Sequence, residues 1–83
     1  MSLNQTVHLE YFAILREQRG LARETLATSA TTAADLYEEL RARHDFTLPV
    51  DRVRAAINEE FAPWHALLRE GDRIVFIPPV AGG

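Results

Sequence analysis

The sequence predicts an α+β roll, in which one main helix covers one face of a mixed β-sheet. Three stretches of the 83-residue chain carry this prediction: alternating apolar residues at 7–13, a helical apolar pattern at 33–40 and an unbroken apolar run at 74–77. Because crossover connections are right-handed, the last strand is expected to lie beside the first and parallel to it. A chain of this length folds as one small domain around a single core.

The first strand is predicted at residues 7–13. Its alternation assigns to the buried face Val7, Leu9, Tyr11 and Ala13. The other face carries His8, Glu10 and Phe12. Phe12 is therefore an aromatic residue on the more polar face, where it is either packed under a loop or exposed for a partner.

The main helix is predicted to begin at Thr31 or Thr32, whose hydroxyl can cap it, with Asp35 at the third helical position. Its apolar face comprises Ala33, Leu36, Tyr37 and Leu40. Its opposite face carries Glu38, Glu39, Arg41 and Arg43. We expect the charged face to be solvated and the apolar face, packed on the sheet, to hold the helix in place.

The remaining elements are shorter. In chain order they are a helical turn at 14–19 closed by Gly20, a strand at 23–27, a strand at 53–58, a turn at 58–60 into a short strand at Phe61, and an irregular or helical passage at 63–68. The sequence Glu70-Gly71-Asp72 is a strong turn signal directly before the last strand, at 74–77.

Composition narrows the function classes. The chain is 47% hydrophobic and 25% charged, with no apolar run of membrane-spanning length and no secretory leader, so a cytoplasmic location and no membrane partner are expected. All nine basic residues are scattered arginines and the net charge is −3, which argues against nucleic-acid binding. Without cysteine there is no disulfide and no thiolate site, and three well-separated histidines give no metal-ligand pattern.

The C-terminus is the most distinctive stretch. Pro78 and Pro79 end the last strand and hold the chain extended, so that the six residues from Pro78 to Gly83 could reach about 20 Å from the body, at about 3.3 Å per residue. Gly82 and Gly83 make the thinnest possible peptide, able to enter a narrow active site. An activating enzyme could convert the unhindered terminal carboxylate into an acyl-adenylate with ATP. The alternative interpretation is that the diglycine is a frayed terminus without a role.

These residues resemble a known family. The segments Phe12-Ala-Ile-Leu-Arg-Glu17, Ala56-Ile-Asn58 and Asp72, together with the terminal Phe76-Ile-Pro-Pro-Val-Ala-Gly-Gly83, are similar to the small subunits of molybdopterin synthase, the MoaD family. The resemblance covers nearly the whole chain. It implies the β-grasp, or ubiquitin-like, fold as a single domain over residues 1–83, with a flexible tail at residues 78–83.

The resemblance also implies a function as a sulfur carrier. In that family an E1-like, ATP-dependent enzyme (MoeB) adenylates the terminal glycine, here Gly83, which is then converted to a thiocarboxylate. The tail formed by Pro78, Pro79, Val80, Ala81, Gly82 and Gly83 would then enter the active site of the large subunit (MoaE). There the sulfur converts cyclic pyranopterin monophosphate to molybdopterin. No bound cofactor is implied, catalytic side chains are expected on the partner, and the assembly is a heterotetramer.

The family's interface with the large subunit maps onto Phe12, Phe61 and Ile77; the alternative is that all three complete the core. The acidic residues Glu59, Glu60, Glu70 and Asp72 are interpreted as solvated turn residues, with a docking surface for the activating enzyme as the alternative. Three other functions stay open: a carrier for another pathway, such as ThiS of thiazole synthesis or a carrier for cysteine synthesis, a ubiquitin-like protein modifier, and an interaction domain whose tail has no role.

Overall fold

A computed structural model describes residues 4–79 of the chain. Within that range the elements are β1 (Gln5–Tyr11), α1 (Ala13–Arg19), β2 (Arg23–Thr28), α2 (Ala33–His44), a 3-10 turn (Val50–Arg52), β3 (Arg54–Ile57), β4 (Glu60–Ala62) and β5 (Arg73–Ile77). Their order and type confirm the predicted α+β roll. The passage at 63–68 is irregular and makes an isolated bridge between Leu67 and Thr32.

The five described strands form one mixed sheet in the order β2-β1-β5-β3-β4. Strand β5 lies in the middle, parallel to β1 on one side and antiparallel to β3 on the other. This arrangement confirms that the first and last strands are parallel neighbours. The unbroken apolar run of β5 fits the central position, because a central strand has neighbours on both edges and is covered on at least one face.

The core lies between α2 and one face of the sheet. The side chains buried there from these two elements are Val7, Leu9, Tyr11, Ala33, Leu36, Tyr37, Leu40, Ala55, Ile74 and Phe76. Phe76 lies at the centre, with ring centroids of Tyr37 at 5.3 Å, Trp64 at 6.1 Å and Tyr11 at 6.4 Å. Aromatic pairs at such separations add to the free energy gained by burying their area. The last strand is therefore fixed immediately before the tail begins.

The N-terminus of α2 is capped from two sides. The Thr32 hydroxyl accepts a hydrogen bond from the Asp35 N–H at 3.1 Å, which confirms the predicted cap. The amides of Ala33 and Ala34 donate to the carbonyl oxygens of Ala66 and Trp64, at 3.0 and 2.9 Å. The passage at 63–68 therefore satisfies helix donors that would otherwise be unpaired, and this explains its irregular path.

The first strand ends earlier than expected. Ala13 is the first residue of α1, is exposed and has a φ of 51°, so its assignment to the buried face was wrong. Phe12 instead forms the N-terminal cap position of α1, where its carbonyl accepts from the Leu15 N–H at 3.1 Å. Gly20, with a φ of 85°, ends α1 as predicted, because the left-handed conformation there is free of strain for glycine.

A polar clamp joins the β3–β4 hairpin to the start of β5. Asn58 and Glu59 both have positive φ, 53° and 75°, which gives the two-residue turn that matches the twist of a hairpin. The Asn58 amide donates to the Asp72 carboxylate at 2.9 Å, and the Arg73 N–H donates to the Asn58 side-chain oxygen at 3.0 Å. Asp72 also accepts from the Arg69 N–H at 2.8 Å and is buried. Its interpretation as a solvated turn residue was therefore wrong.

A second polar group lies at the opposite end of the sheet. Glu24 of β2 accepts two hydrogen bonds from the Arg19 guanidinium, at 2.8 and 2.9 Å, and one from the Tyr11 hydroxyl at 2.6 Å. The hydrogen bonds from Arg19, and then that from Tyr11, lower the pKa of the Glu24 carboxyl to about 2, against an opposing effect of burial. Burial and the neighbouring carboxylate raise the pKa of Tyr11. Glu24 therefore ties α1 to the edge of the sheet as a carboxylate.

This group predicts an acid-sensitive contribution to stability. Because the pKa of Glu24 is lower in the folded chain than in the unfolded one, its contribution is complete above about pH 4.5 and is lost as the pH falls towards about 2. Glu24→Gln should lower the free energy of unfolding at pH 7, and the difference from wild type should shrink across that pH range. Urea denaturation at a series of pH values measures it; a difference that is constant with pH would contradict the assignment.

Candidate functional site

The face of the sheet opposite α2 is called here the open face. Side chains alternate along each strand, so the residues next to the core positions point to this face. The strand register aligns one row across all five described strands, formed by Arg23, Glu10, Val75, Ala56 and Phe61. One end of the row is charged and the other is apolar. The open face is thus divided into a polar half over β2 and β1 and an apolar half over β5, β3 and β4.

The apolar half is called the apolar patch and consists of Phe12, Ala56, Phe61, Val75 and Ile77. Phe61 is 62% exposed and Phe12 is 42% exposed, whereas Ile77 is half-buried. Tyr11, the last residue of β1, pairs with Phe76. Phe12, which continues the chain in an extended conformation, therefore lies beside Ile77, the last residue of β5. The two phenylalanines do not complete the core. Exposed aromatic side chains grouped on one face mark a surface that binds another molecule.

The root of the tail borders this patch. Strand β5 ends at Ile77, as the two prolines predict, but Pro78 is buried and Pro79 is the first exposed residue. The expectation that the chain leaves the body at Pro78 is thereby corrected: Pro78 continues the alternation of Ile74 and Phe76 and packs on the core side. The predicted tail residues Val80, Ala81, Gly82 and Gly83 lie outside the described residues.

Arg54 is a residue of this surface that the sequence analysis missed. It is the Cα partner of Ile77, and its guanidinium carbon lies 4.2 Å from the centroid of the Phe61 ring. A cation at this distance is attracted to the face of an aromatic ring. The signal was available, because alternation along β3 places Arg54 and Ala56 on the same face, opposite the buried Ala55.

The polar half of the open face forms a shallow depression. Its lining includes His8, Glu10, Arg23, Thr25, Glu59 and Arg73. The His8 ring nitrogen Nδ1 lies 3.1 Å from the Thr25 hydroxyl, and Arg23 approaches Glu10 at 3.8 Å. Exposed ion pairs of this length contribute little to stability. Charges of both signs surround the depression, so it has no single electrostatic preference.

Two features of residues 4–79 bear on the kind of site. No group of three or more histidine, aspartate or glutamate side chains in this range is arranged to hold a metal ion. None of the helices in the same range is long and apolar enough to cross a membrane.

Comparison with known proteins identifies the family. The sequence model of the ThiS family matches residues 9–83, a range that includes the two terminal glycines. The chain belongs to the ThiS/MoaD family. A member from Haemophilus influenzae, named molybdopterin synthase sulfur carrier subunit, is 33% identical to it over 88% of this chain and 94% of the relative. The resemblance to MoaD proteins seen in the sequence is thereby confirmed.

Solved structures place the chain in the same ThiS/MoaD group. A putative molybdopterin converting factor subunit 1 from Pyrococcus furiosus superposes with a TM-score of 0.77 at 30% identity, covering 92% of this chain and 99% of that one. A complex of subunits 1 and 2 of the Helicobacter pylori molybdopterin-converting factor contains a chain with a TM-score of 0.63 at 22% identity, covering 95% and 100%. This second likeness is one of fold. Together they confirm the ubiquitin-like β-grasp architecture.

Substitution by aspartate should have very different effects on stability at an exposed and at a buried phenylalanine. Phe61→Asp should change the free energy of unfolding by no more than about 1 kcal/mol, because the side chain is 62% exposed and the ring interaction it loses is the one with Arg54. Phe46→Asp should unfold the chain, because Phe46 is only 3% exposed and the new carboxylate would be buried without a partner. Thermal melting followed by circular dichroism tests both. If Phe61→Asp also unfolds the chain, Phe61 is a core residue and the apolar patch is misassigned.

Proposed function

We propose that this chain is the sulfur-carrier small subunit of a molybdopterin synthase. The observation that carries the proposal is the match to molybdopterin synthase sulfur carrier subunits over 88% of the chain, within a family match that extends through Gly83. In this role the chain brings sulfur on its own C-terminus to a large subunit that holds the pterin substrate.

The first step of the proposal is activation of Gly83. An E1-like enzyme positions the terminal carboxylate against ATP; a carboxylate oxygen attacks the α-phosphorus and pyrophosphate leaves. Hydrosulfide (HS⁻) then attacks the acyl carbon of the adenylate, AMP departs with the bonding electrons, and the sulfur loses its proton to solvent. The product is a terminal thiocarboxylate. This chemistry needs no side chain of the carrier, which agrees with a chain that has no cysteine.

The second step is delivery of the sulfur. The thiocarboxylate tail, Pro79 to Gly83, enters the active site of the large subunit, where its sulfur bonds to a carbon of cyclic pyranopterin monophosphate and an oxygen substituent of that carbon leaves. Water then cleaves the bond between the acyl carbon and the sulfur, so the sulfur stays on the pterin and the carrier leaves with an ordinary carboxylate. Two glycines at the tip keep the acyl carbon unhindered in a narrow channel. Catalytic groups come from the large subunit, and the carrier contributes by holding the sulfur at the reacting position.

The third part of the proposal is how the subunits hold together. The apolar patch, with Phe12, Phe61 and Ile77, is covered by the large subunit. Pro78 anchors the tail beside the patch, so that docking of the patch directs the tail towards the partner's active site. The exposed aromatic rings provide the large contact area at low side-chain entropy cost that is typical of binding surfaces. We propose a heterotetramer with two copies of each subunit.

The carrier chemistry predicts a change in intact mass. After incubation with ATP, a cognate activating enzyme and a sulfide source, the full chain should gain the mass difference between one sulfur and one oxygen atom. A chain that lacks Gly83 is the matched control and should show no gain. Mass spectrometry of both proteins measures the outcome. Absence of the gain in the full chain, with an activating enzyme shown to be active on another carrier, would contradict the proposal.

A further inference from the structure

We propose that Arg54 determines which partner the apolar patch accepts, by binding a carboxylate side chain on the large subunit. The inference rests on the proposed function, since it specifies the chemistry of the surface that docks on this patch. It concerns a residue that is neither in the tail nor among the apolar contacts, and it arises from the position of one charged group in an otherwise apolar surface.

Arg54 lies next to the exposed residues of the apolar patch. Arg54 is the first residue of β3 and lies between Ile77 on the neighbouring strand β5 and Phe61 on β4. Arg54 is itself exposed. Its guanidinium carbon lies 4.2 Å from the centroid of Phe61, the most exposed aromatic ring of the patch. Any partner that covers Phe61 and Ile77 therefore also covers Arg54.

Among the described residues, the Arg54 guanidinium has no carboxylate partner. Four other arginines each approach a carboxylate of this chain, as Arg19 does with Glu24 at 2.8 Å and Arg43 with Glu39 at 3.3 Å. The remaining arginines, Arg16, Arg52, Arg69 and Arg73, share with Arg54 the lack of such a pair among the described residues, but Arg54 is the one that lies over a ring of the apolar patch. Among residues 4–79, the Arg54 side chain has neither a carboxylate within salt-bridge distance nor a hydrogen-bond acceptor. Its contact with the Phe61 ring uses no acceptor either, so the N–H donors of the guanidinium are satisfied by water in the free chain.

Removing water from the Arg54 guanidinium costs free energy when a partner covers the patch. When a partner covers the patch, water leaves the guanidinium, and a buried arginine without a counter-charge is strongly unfavourable. The surface that docks here must therefore present an acceptor at this point. A carboxylate fits best, because it opposes the charge and its two oxygens match the planar guanidinium in two parallel hydrogen bonds.

A positive charge at Arg54 discriminates between the surfaces that could dock on the patch. The chain as a whole carries a net charge of −3, so a generally acidic partner is repelled except where a local positive charge is fixed. The Phe61 ring restricts Arg54, which reduces the side-chain entropy lost when the pair forms. An apolar surface without a carboxylate would leave Arg54 buried and unpaired and would be rejected.

The test is the affinity of the full chain for its cognate large subunit, measured by calorimetry with wild type, Arg54→Met, Arg54→Lys and Arg43→Met. Arg54→Met should weaken binding by about 30-fold or more, because it leaves the partner's carboxylate buried and unpaired. Arg54→Lys should fall between wild type and Arg54→Met, since it keeps the charge but not the planar fork. Arg43 lies on α2, which covers the opposite face of the sheet, so the matched Arg43→Met control should bind within about twofold of wild type.

Binding of Arg54→Met within about threefold of wild type would overturn the proposal, provided that Phe61→Asp abolishes binding in the same assay. That pattern leaves the proposed function intact and removes only the role of Arg54. If wild type itself does not bind the large subunit, the proposed function fails and this inference fails with it. Melting curves check the fold of each variant; if Arg54→Met is unfolded, Arg54→Lys decides, and unweakened binding by that variant overturns the bidentate carboxylate pair.

Discussion

The structure depends on the pairing of β5 with β1 and β3 in the middle of the sheet. The core-facing side chains of β5, Ile74 and Phe76, are fully buried under α2, and its other two apolar side chains, Val75 and Ile77, contribute to the open face. One short strand therefore contributes to both the core and the apolar patch. The aromatic rings around Phe76 hold its C-terminal end, so the tail starts from a fixed point.

In the proposed function, a strand that serves both surfaces lets a chain of 83 residues carry sulfur at its terminus. The fold provides one core and one exposed apolar patch beside the tail root, and in the proposed function the catalytic groups belong to the partner that covers this patch. In the proposed function, rigid attachment matters because the thiocarboxylate sulfur of a docked carrier reacts at an effective concentration set by geometry. The polar clamp between Asn58 and Asp72 also helps to hold the patch in place, because it fixes the β3–β4 hairpin, with Phe61, to the start of β5.

Much of the fold could be predicted from periodicity and capping. The parallel pairing of β1 and β5, the Thr32 cap and the end of α1 at Gly20 depend on local patterns or chain-level rules and were correctly predicted. The errors arose where contacts distant in sequence override local pattern. Asp72 is buried and accepts a hydrogen bond from Asn58, 14 residues away; Pro78 is buried although it follows the end of the strand; and the contact of Arg54 is with a ring on another strand.

The most direct test of the account is a single-turnover reaction of the thiocarboxylated chain with its large subunit and cyclic pyranopterin monophosphate. The account predicts that molybdopterin forms, that carrier thiocarboxylate is consumed as it forms, and that carrier with an ordinary carboxylate gives none. If thiocarboxylated carrier binds the large subunit but no molybdopterin appears, while the same carrier supplies sulfur to a thiazole-forming enzyme or becomes joined to other proteins, the assignment to molybdopterin synthase is contradicted.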